Sequence, residues 1–286
     1  MDTLVINAPA KINLCLYVLG RRLDGYHELA MAMQRVSLYD RLELGIEDGE
    51  GIEVLCDGLD LGKEENIAAR AVRLFLAETS LQRRVAIKID KHIPVAAGLG
   101  GGSSDAAAVL YGLNKLCGQP VAPERLLELG AELGADVPFF LFGRPAWATG
   151  TGTELVALPL LPDVCYLLLN PGFAVSTAGV YQSLQLTKGG ELANLPRFSV
   201  TTISDLVNAL HNDLERVTSE AHPEIREMKE FLLHEGALGA LMSGSGASVF
   251  GVFADTAAAM AAKDAVSSRA KWRAFVAHPL ARDLTV

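Results

Sequence analysis

The residues from Pro94 to Ser104, Pro-Val-Ala-Ala-Gly-Leu-Gly-Gly-Gly-Ser-Ser, carry the strongest chemical signal in the chain. Ala97, Gly98, Gly100, Gly101 and Gly102 present almost no side chain there. In the run that follows, Asp105 to Leu116, the residues Val109, Leu110, Leu113 and Leu116 fall on one apolar stripe and predict a helix. Ser103 or Ser104 is placed to cap it, and Asp105 stands where a helix dipole favours an acid. A glycine loop entering a helix N-terminus offers backbone N–H groups to an anion, and phosphate is the usual one. No Gly-Lys-Ser/Thr closes the loop, so it is not a Walker A element. Lys88 to Pro94 separates the strand-like Val85–Asp90 from the first glycine, and a helix-like stretch follows, so a dinucleotide-binding unit does not fit either. A flexible linker is seldom flanked this tightly by a strand and an apolar helix.

Other residues could do chemistry beside such a loop. Asp136, in Gly134-Ala-Asp-Val-Pro138, follows a helix end and can face a cleft as a general base. Its ordinary alternative is a turn residue before a proline. Lys11 lies inside an apolar strand, between Ala10 and Ile12, and is either a snorkelling edge residue or a functional charge. Asn13 shares its strand face, two residues on. Tyr26 and His27 follow the turn signal Asp24-Gly25, and such a pair is ordinarily surface or core. Ser243-Gly-Ser-Gly246 closes on a ligand or simply joins two strands.

These residues need a scaffold. With 286 residues, half of them hydrophobic, the chain can build one large domain or two ordinary ones without staples. A net charge of −9 argues against nucleic-acid binding. Cys15, Cys56, Cys117 and Cys165 are far apart and form no C-x-x-C, so buried free thiols in a reducing compartment are expected. His92, His211, His222, His234 and His278 show no metal-ligand spacing. With no signal peptide and no membrane-length apolar run, a cytoplasmic protein is expected.

Lys11–Leu19, 41–47 and 52–56 pattern as strands, and 66–77 and 123–133 as helices, the latter closed by Gly134. Further on, 164–169, 238–242, 248–253 and 272–277 read as strands. Helices open at Pro223 and after Asp255. The order β-(insert)-α-β-β-α-β is that of a split βαβ unit. The expectation is α+β, in two domains, 1–155 and 156–286, with an irregular connection over 185–200.

Three motifs now stand in order: Ala8-Pro-Ala-Lys-Ile-Asn-Leu14 with Gly20 to His27, the loop 94–104, and Met242-Ser-Gly-Ser-Gly-Ala-Ser-Val249. Together they resemble the GHMP kinases, the superfamily of galactokinase, homoserine kinase and mevalonate kinase. Pro-Ala-Lys-Ile-Asn-Leu, Asp-Gly-Tyr-His and Gly-Ala-Asp-Val-Pro-Phe-Phe point to the branch that acts on a cytidine diphosphate ester. The resemblance implies an N-terminal domain like domain 2 of ribosomal protein S5 and a ferredoxin-like C-terminal domain. It implies transfer from ATP, with Mg2+, to the 2-hydroxyl of the ester's methylerythritol portion. It implies that Pro94, Val95, Ala96, Ala97, Gly98, Leu99, Gly100, Gly101, Gly102, Ser103 and Ser104 hold the phosphates, with Asn66 and Lys91 at the adenine. Asp136 would be the base and Lys11 its partner. Asn13 would bind substrate, Tyr26 would stack on cytosine and His27 would read its edge, with Thr177 and Tyr181 on the second side. No metal ligand is assigned, and Asp105, a negative charge beside the phosphates, either reaches a metal through water or serves the helix. The readings set against this one are a kinase of a base-free alcohol, a regulator that has lost catalysis and an RNA-binding module. Tyr26-His27 argues against the first, the presence of Lys11 and Asp136 against the second, and the acidic charge against the third.

Overall fold

The computed structural model describes residues 2–56, 66–184, 195, 198–266 and 271–280. Most of the connection expected over 185–200 lies outside them. Two long strands, β1 (Asp2–Arg21) and β2 (His27–Asp48), pair antiparallel and form the spine of the first sheet. β3 (Gly51–Cys56) runs parallel to β4 (Arg83–Asp90), which pairs with β2. α1 (Ile67–Thr79), α2 (Gly101–Leu116), α3 (Pro123–Leu133) and the short α4 (Val137–Phe142) lie in this first half. β5 (Ala146–Gly150) pairs with β2, and β6 (Glu154–Ala157) with β5.

The second half begins with β7 (Cys165–Asn170). α5 (Thr177–Ser183), α6 (Ile203–Asn208), β8 (His211–Asn212) and α7 (Asp213–Ala221) come before α8 (Glu224–His234). β9 (Gly239–Met242), β10 (Val249–Phe253), α9 (Thr256–Val266) and β11 (Arg273–Ala277) complete it. The sheet order is β11-β7-β10-β9, all neighbours antiparallel. Its first strand thus lies between its third and fourth, the split βαβ arrangement read from the sequence.

The two sheets pack face to face. Ala10, Ile12 and Leu14 of β1 share a core with Tyr166 and Leu168 of β7 and Phe250 and Val252 of β10. A second core lies on the other side of the first sheet, where Ile6, Leu16, Val18 and Met31 meet α1, α2 and α3. Covered on both faces, β1 is buried without a break from Ala8 to Leu16, which explains its nearly continuous apolar run.

Breaks in the β1–β2 register decide where Lys11 points. There are three, and the two that flank Lys11 fall between Pro9 and Ala10 and between Asn13 and Cys15. Ile6 and Ala8 belong to the helix-side core, Ala10, Ile12 and Leu14 to the inter-sheet core, and Leu16 and Val18 to the helix side again. Successive residues alternate faces, so between the breaks Lys11 and Asn13 are turned to the helix side. Two expectations need correction. α2 starts at Gly101 behind an N-cap glycine with φ 71°, so Ser103 and Ser104 are inside its first turn and cap nothing. Cys15 and Cys165 are buried, but Cys56 and Cys117 are only partly so.

Candidate active site

The glycine loop is held from two sides. Leu99 accepts a hydrogen bond at its carbonyl from the Lys11 backbone N–H, at 2.9 Å. The Ser243 hydroxyl donates to the Gly98 carbonyl at 2.9 Å and accepts from the Asn13 N–H at 3.3 Å. Ser248 N–H donates to the Ala97 carbonyl at 3.1 Å. The loop joining β9 to β10 is therefore both a strand connection and a clamp on the first loop. Gly98 has φ 78°, and a Cβ there would lie 2.0 Å from the Ser243 carbonyl oxygen. At Gly100, φ 71°, a Cβ would crowd Phe140 at 2.9 Å and the Lys11 stem at 3.0 Å. These two glycines are required by the protein's own packing before any phosphate arrives.

The loop borders a cavity of about 1020 Å³. Pro94, Val95, Ala96, Ala97, Gly98, Gly100, Gly101, Gly102 and Ser103 line it. Leu99 and Ser104 do not: Leu99 is in the inter-sheet core, and Ser104 is fully buried with its hydroxyl unpartnered among the described residues. The hydroxyl donor expected of Ser104 is thus turned away from the cavity. Asn66 and Lys91 line the cavity too, as do the apolar Cys56, Ile67 and Ile89. The Asn66 side chain caps α1, its Oδ1 accepting from Ala68 N–H at 2.9 Å. Lys91 holds Asp105 Oδ2 at 2.7 Å and also holds Asp40. Burial lowers the Lys91 ammonium's proton affinity, but the two carboxylates outweigh it and raise the pKa.

Lys11 and Asp136 lie 3.6 Å apart, Nζ to Oδ2. Lys11 is 4% exposed, and its Nζ donates to Asn13 Oδ1 at 2.6 Å. Asn13 Nδ2 lies 3.2 Å from Met31 Sδ. Asp136 is the N-cap residue of α4, yet its side chain makes no capping bond and is left to Lys11 and the cavity. That short helix had no signal in the sequence beyond Val-Pro-Phe-Phe, which reads equally well as a buried strand.

The same cavity is lined by three rings, those of Tyr26, His27 and Tyr181. His27 and Tyr181 stack with ring centroids 4.9 Å apart, and Tyr26, 65% exposed, stands at the rim. Burial, then the charge of Arg21, lowers the His27 pKa, which favours neutral imidazole. Burial, then the charge of Asp136, raises the Tyr181 phenol, which keeps its proton. The Thr177 and Ser245 hydroxyls are 2.9 Å apart and tie α5 to the second loop. Sequence reasoning sets Asp105 beside the phosphates and Ser245 in a loop that closes on a ligand or joins two strands, but it misses Asp40 as a neighbour of the site. Asp40 ends an apolar stretch of β2, and a carboxylate there is the available signal.

This architecture, a glycine-rich loop entering a helix beside a buried lysine paired with a partly exposed aspartate, is one that a small-molecule kinase can use. Residues 66–144 match the family model for the GHMP kinases N terminal domain, and residues 192–271 the model for the GHMP kinases C terminal domain. A Syntrophotalea carbinolica protein named 4-diphosphocytidyl-2-C-methyl-D-erythritol kinase is 56% identical over 96% of this chain and 98% of its own. A Geobacter sulfurreducens protein of the same name is 48% identical over 96% of this chain and 99% of its own. A crystal structure of 4-(cytidine 5'-diphospho)-2C-methyl-D-erythritol kinase superposes with a TM-score of 0.79 at 37% identity, covering 97% and 99% of the two chains. A homoserine kinase from Cytophaga hutchinsonii superposes at 0.74 with 19% identity, over 99% and 96%, a likeness of fold alone. The chain belongs to the GHMP kinases, and within them to the 4-diphosphocytidyl-2-C-methyl-D-erythritol kinase family.

Proposed function

We propose that this protein transfers the γ-phosphoryl group of ATP to the 2-hydroxyl of 4-diphosphocytidyl-2-C-methyl-D-erythritol, giving the 2-phosphate and ADP, a step in isoprenoid precursor synthesis by the non-mevalonate route. The observation that carries the reading is that one cavity is lined by the glycine loop, the Lys11–Asp136 pair and the His27–Tyr181 rings. The pair neighbours both of the others: the Lys11 stem lies against Gly100, and the Asp136 charge acts on Tyr181. A phosphate donor on the loop and a base-bearing acceptor on the rings would meet at that pair.

In this reading the loop N–H groups and the α2 N-terminus take the triphosphate. Asp136 accepts the proton of the acceptor hydroxyl, and the Lys11 ammonium stabilises the developing alkoxide. Asn13 holds Lys11 in place. His27, neutral, can both donate to and accept from a pyrimidine edge, while Tyr26 and Tyr181 supply rings for stacking. Mg2+ arriving with ATP would supply charge neutralisation at the phosphates. Among the described residues no group of three His, Cys, Asp or Glu is placed to hold a metal ion. No helix among the described residues is long and apolar enough to cross a membrane, and a cytoplasmic location with small-molecule partners accords with that.

The test is ADP release with ATP-Mg against a panel of the cytidine substrate, mevalonate and homoserine. Turnover confined to the cytidine compound is expected. Turnover with a base-free alcohol instead would keep the kinase and discard the substrate, and ATP binding without any turnover would favour a regulator.

A further inference from the structure

Beside the glycine loop lies a cluster that the transfer chemistry does not use. Asp40, Lys91 and Asp105, from the middle of β2, the residue after β4 and the start of α2, are all nearly buried and in contact. It holds two carboxyls against one ammonium. Asp40 is fully engaged: Oδ1 accepts from the His92 N–H at 2.7 Å and the Ile93 N–H at 2.8 Å, and Oδ2 takes Lys91. Asp105 is not. Its Oδ2 takes Lys91 at 2.7 Å, while Oδ1, equally buried, has no hydrogen-bond partner among the described residues. Asp105 is 4% exposed, and it lines the cavity together with Gly100 to Ser103.

An ionised carboxylate in that position would leave one buried oxygen without a donor and would set a negative charge against the incoming triphosphate. Both costs disappear when Asp105 is a neutral acid: the cluster is then one carboxylate and one ammonium, and the carboxyl proton has the neighbouring Asp40 carboxylate to accept it. We infer that Asp105 is a determinant of nucleotide affinity, and that the nucleotide binds the form of the protein in which Asp105 carries a proton, taking that proton up from solution. The inference rests on the reading of the glycine loop as the nucleotide site and needs nothing about the acceptor.

The electrostatics around Asp105 agree with the geometry. Burial is the largest influence and raises its pKa; the charge and hydrogen bond of Lys91 lower it, and the charge and hydrogen bond of Asp40 raise it, leaving it pushed up to about 7. Those two are the charged groups that face it from the neighbouring elements. In the free protein Asp105 therefore changes charge near neutrality. A phosphate nearby pushes it further towards the protonated form. By linkage, affinity is flat below about pH 7 and falls above it, by at most about tenfold per pH unit for one proton.

The test is isothermal titration of the full chain with a non-hydrolysable ATP analogue and Mg2+ at pH 7.8, in three buffers of different ionisation enthalpy. The slope of observed heat against buffer enthalpy counts protons. The wild type should take up about half a proton or more per nucleotide beyond Asp105→Asn, which mimics the neutral acid. The variant should also lose the fall in affinity between pH 7 and 9. Equal proton counts and parallel pH profiles in the two proteins would overturn the inference while leaving the nucleotide site intact. No binding by either protein would refute the nucleotide site itself, and the inference with it. Should the variant not fold, the wild-type profile decides alone: affinity unchanged from pH 7 to 9 overturns it, and a fall of about tenfold or more supports it.

Discussion

Asp136 stands where a hydroxyl proton could go, with the Lys11 ammonium 3.6 Å away and the Tyr181 ring on the acceptor side. Removing its charge in Asp136→Asn should slow turnover by roughly 10²–10⁴-fold, the usual contribution of a positioned base. Lys11→Met removes the cation from the same transition state and should cost about 10²–10³-fold in kcat, read by steady-state ADP release. His27 sets a pH dependence of another kind. Burial and Arg21 hold its pKa below the ordinary imidazole value, so the neutral ring persists to lower pH. As pH falls through that lowered pKa the imidazolium loses its acceptor nitrogen. KM for the cytidine substrate should then rise, with KM for ATP unaffected by this group. A KM flat from pH 7.5 to 5 would remove His27 from the edge of the base. The residue types at 11, 26, 27 and 136 were legible in the sequence because motifs surround them. The Asp40–Lys91–Asp105 contact was not, because three elements far apart in the chain build it.

At the scale of elements, the site depends on two loops that hold each other. Asn212 anchors the second of them. Its Oδ1 caps α7 by accepting from the Leu214 N–H at 2.9 Å, and its Nδ2 donates to the Met242 and Gly244 carbonyls at 2.8 Å each. Asn212→Ala loses a cap and leaves two buried carbonyls without their donor. It should cost about 2–3 kcal/mol in urea unfolding and loosen the clamp on Gly98. A loss within about 0.5 kcal/mol would mean that the loop holds itself. The strands and helices that carry an apolar period of two or 3.6 residues were readable: α3 closed at Gly134, α8 opened at Pro223, and β9 and β10 about their glycine turn. Most of the elements that escaped are short. α4, α5, α6, β5, β6 and β8 span two to seven residues, too few for a period to register, and tertiary contacts fix them. The nine-residue α7 and the first part of β2, before residue 41, also went unread. The register breaks in β1 also escaped, since nothing in Ala-Lys-Ile-Asn marks a change of face. They decide whether Lys11 meets Asp136 or the inter-sheet core.

Across the whole molecule the two halves interlock. β8, from the second half, pairs parallel to β1 at Cys15 and Leu16. Beyond β11 the chain returns to β2, where Ser37 N–H donates to the His278 carbonyl at 3.0 Å and Leu280 N–H to the Arg35 carbonyl at 2.9 Å. With a core shared between the two sheets, neither half can expose its inner face without losing much of its burial. The two tryptophans report on this, since Trp147 is in β5 and Trp272 stands just before β11. The variants Trp147→Phe and Trp272→Phe, each leaving one probe, should show coincident urea transitions. Separate midpoints would show two independent folding units. The interlock brings loops from both halves around one cavity, while the Lys11–Asp136 pair on its wall is built within the first half, from β1 and the N-terminus of α4. The most direct test of that arrangement is a rapid-quench single turnover with saturating ATP and the cytidine substrate, comparing Asp136→Asn with wild type after both ligands' affinities have been measured. The expected result is a phosphoryl-transfer rate lower by roughly a hundredfold or more with affinities nearly unchanged. A transfer rate within about threefold of wild type would contradict the assignment of the pair as the centre of the chemistry.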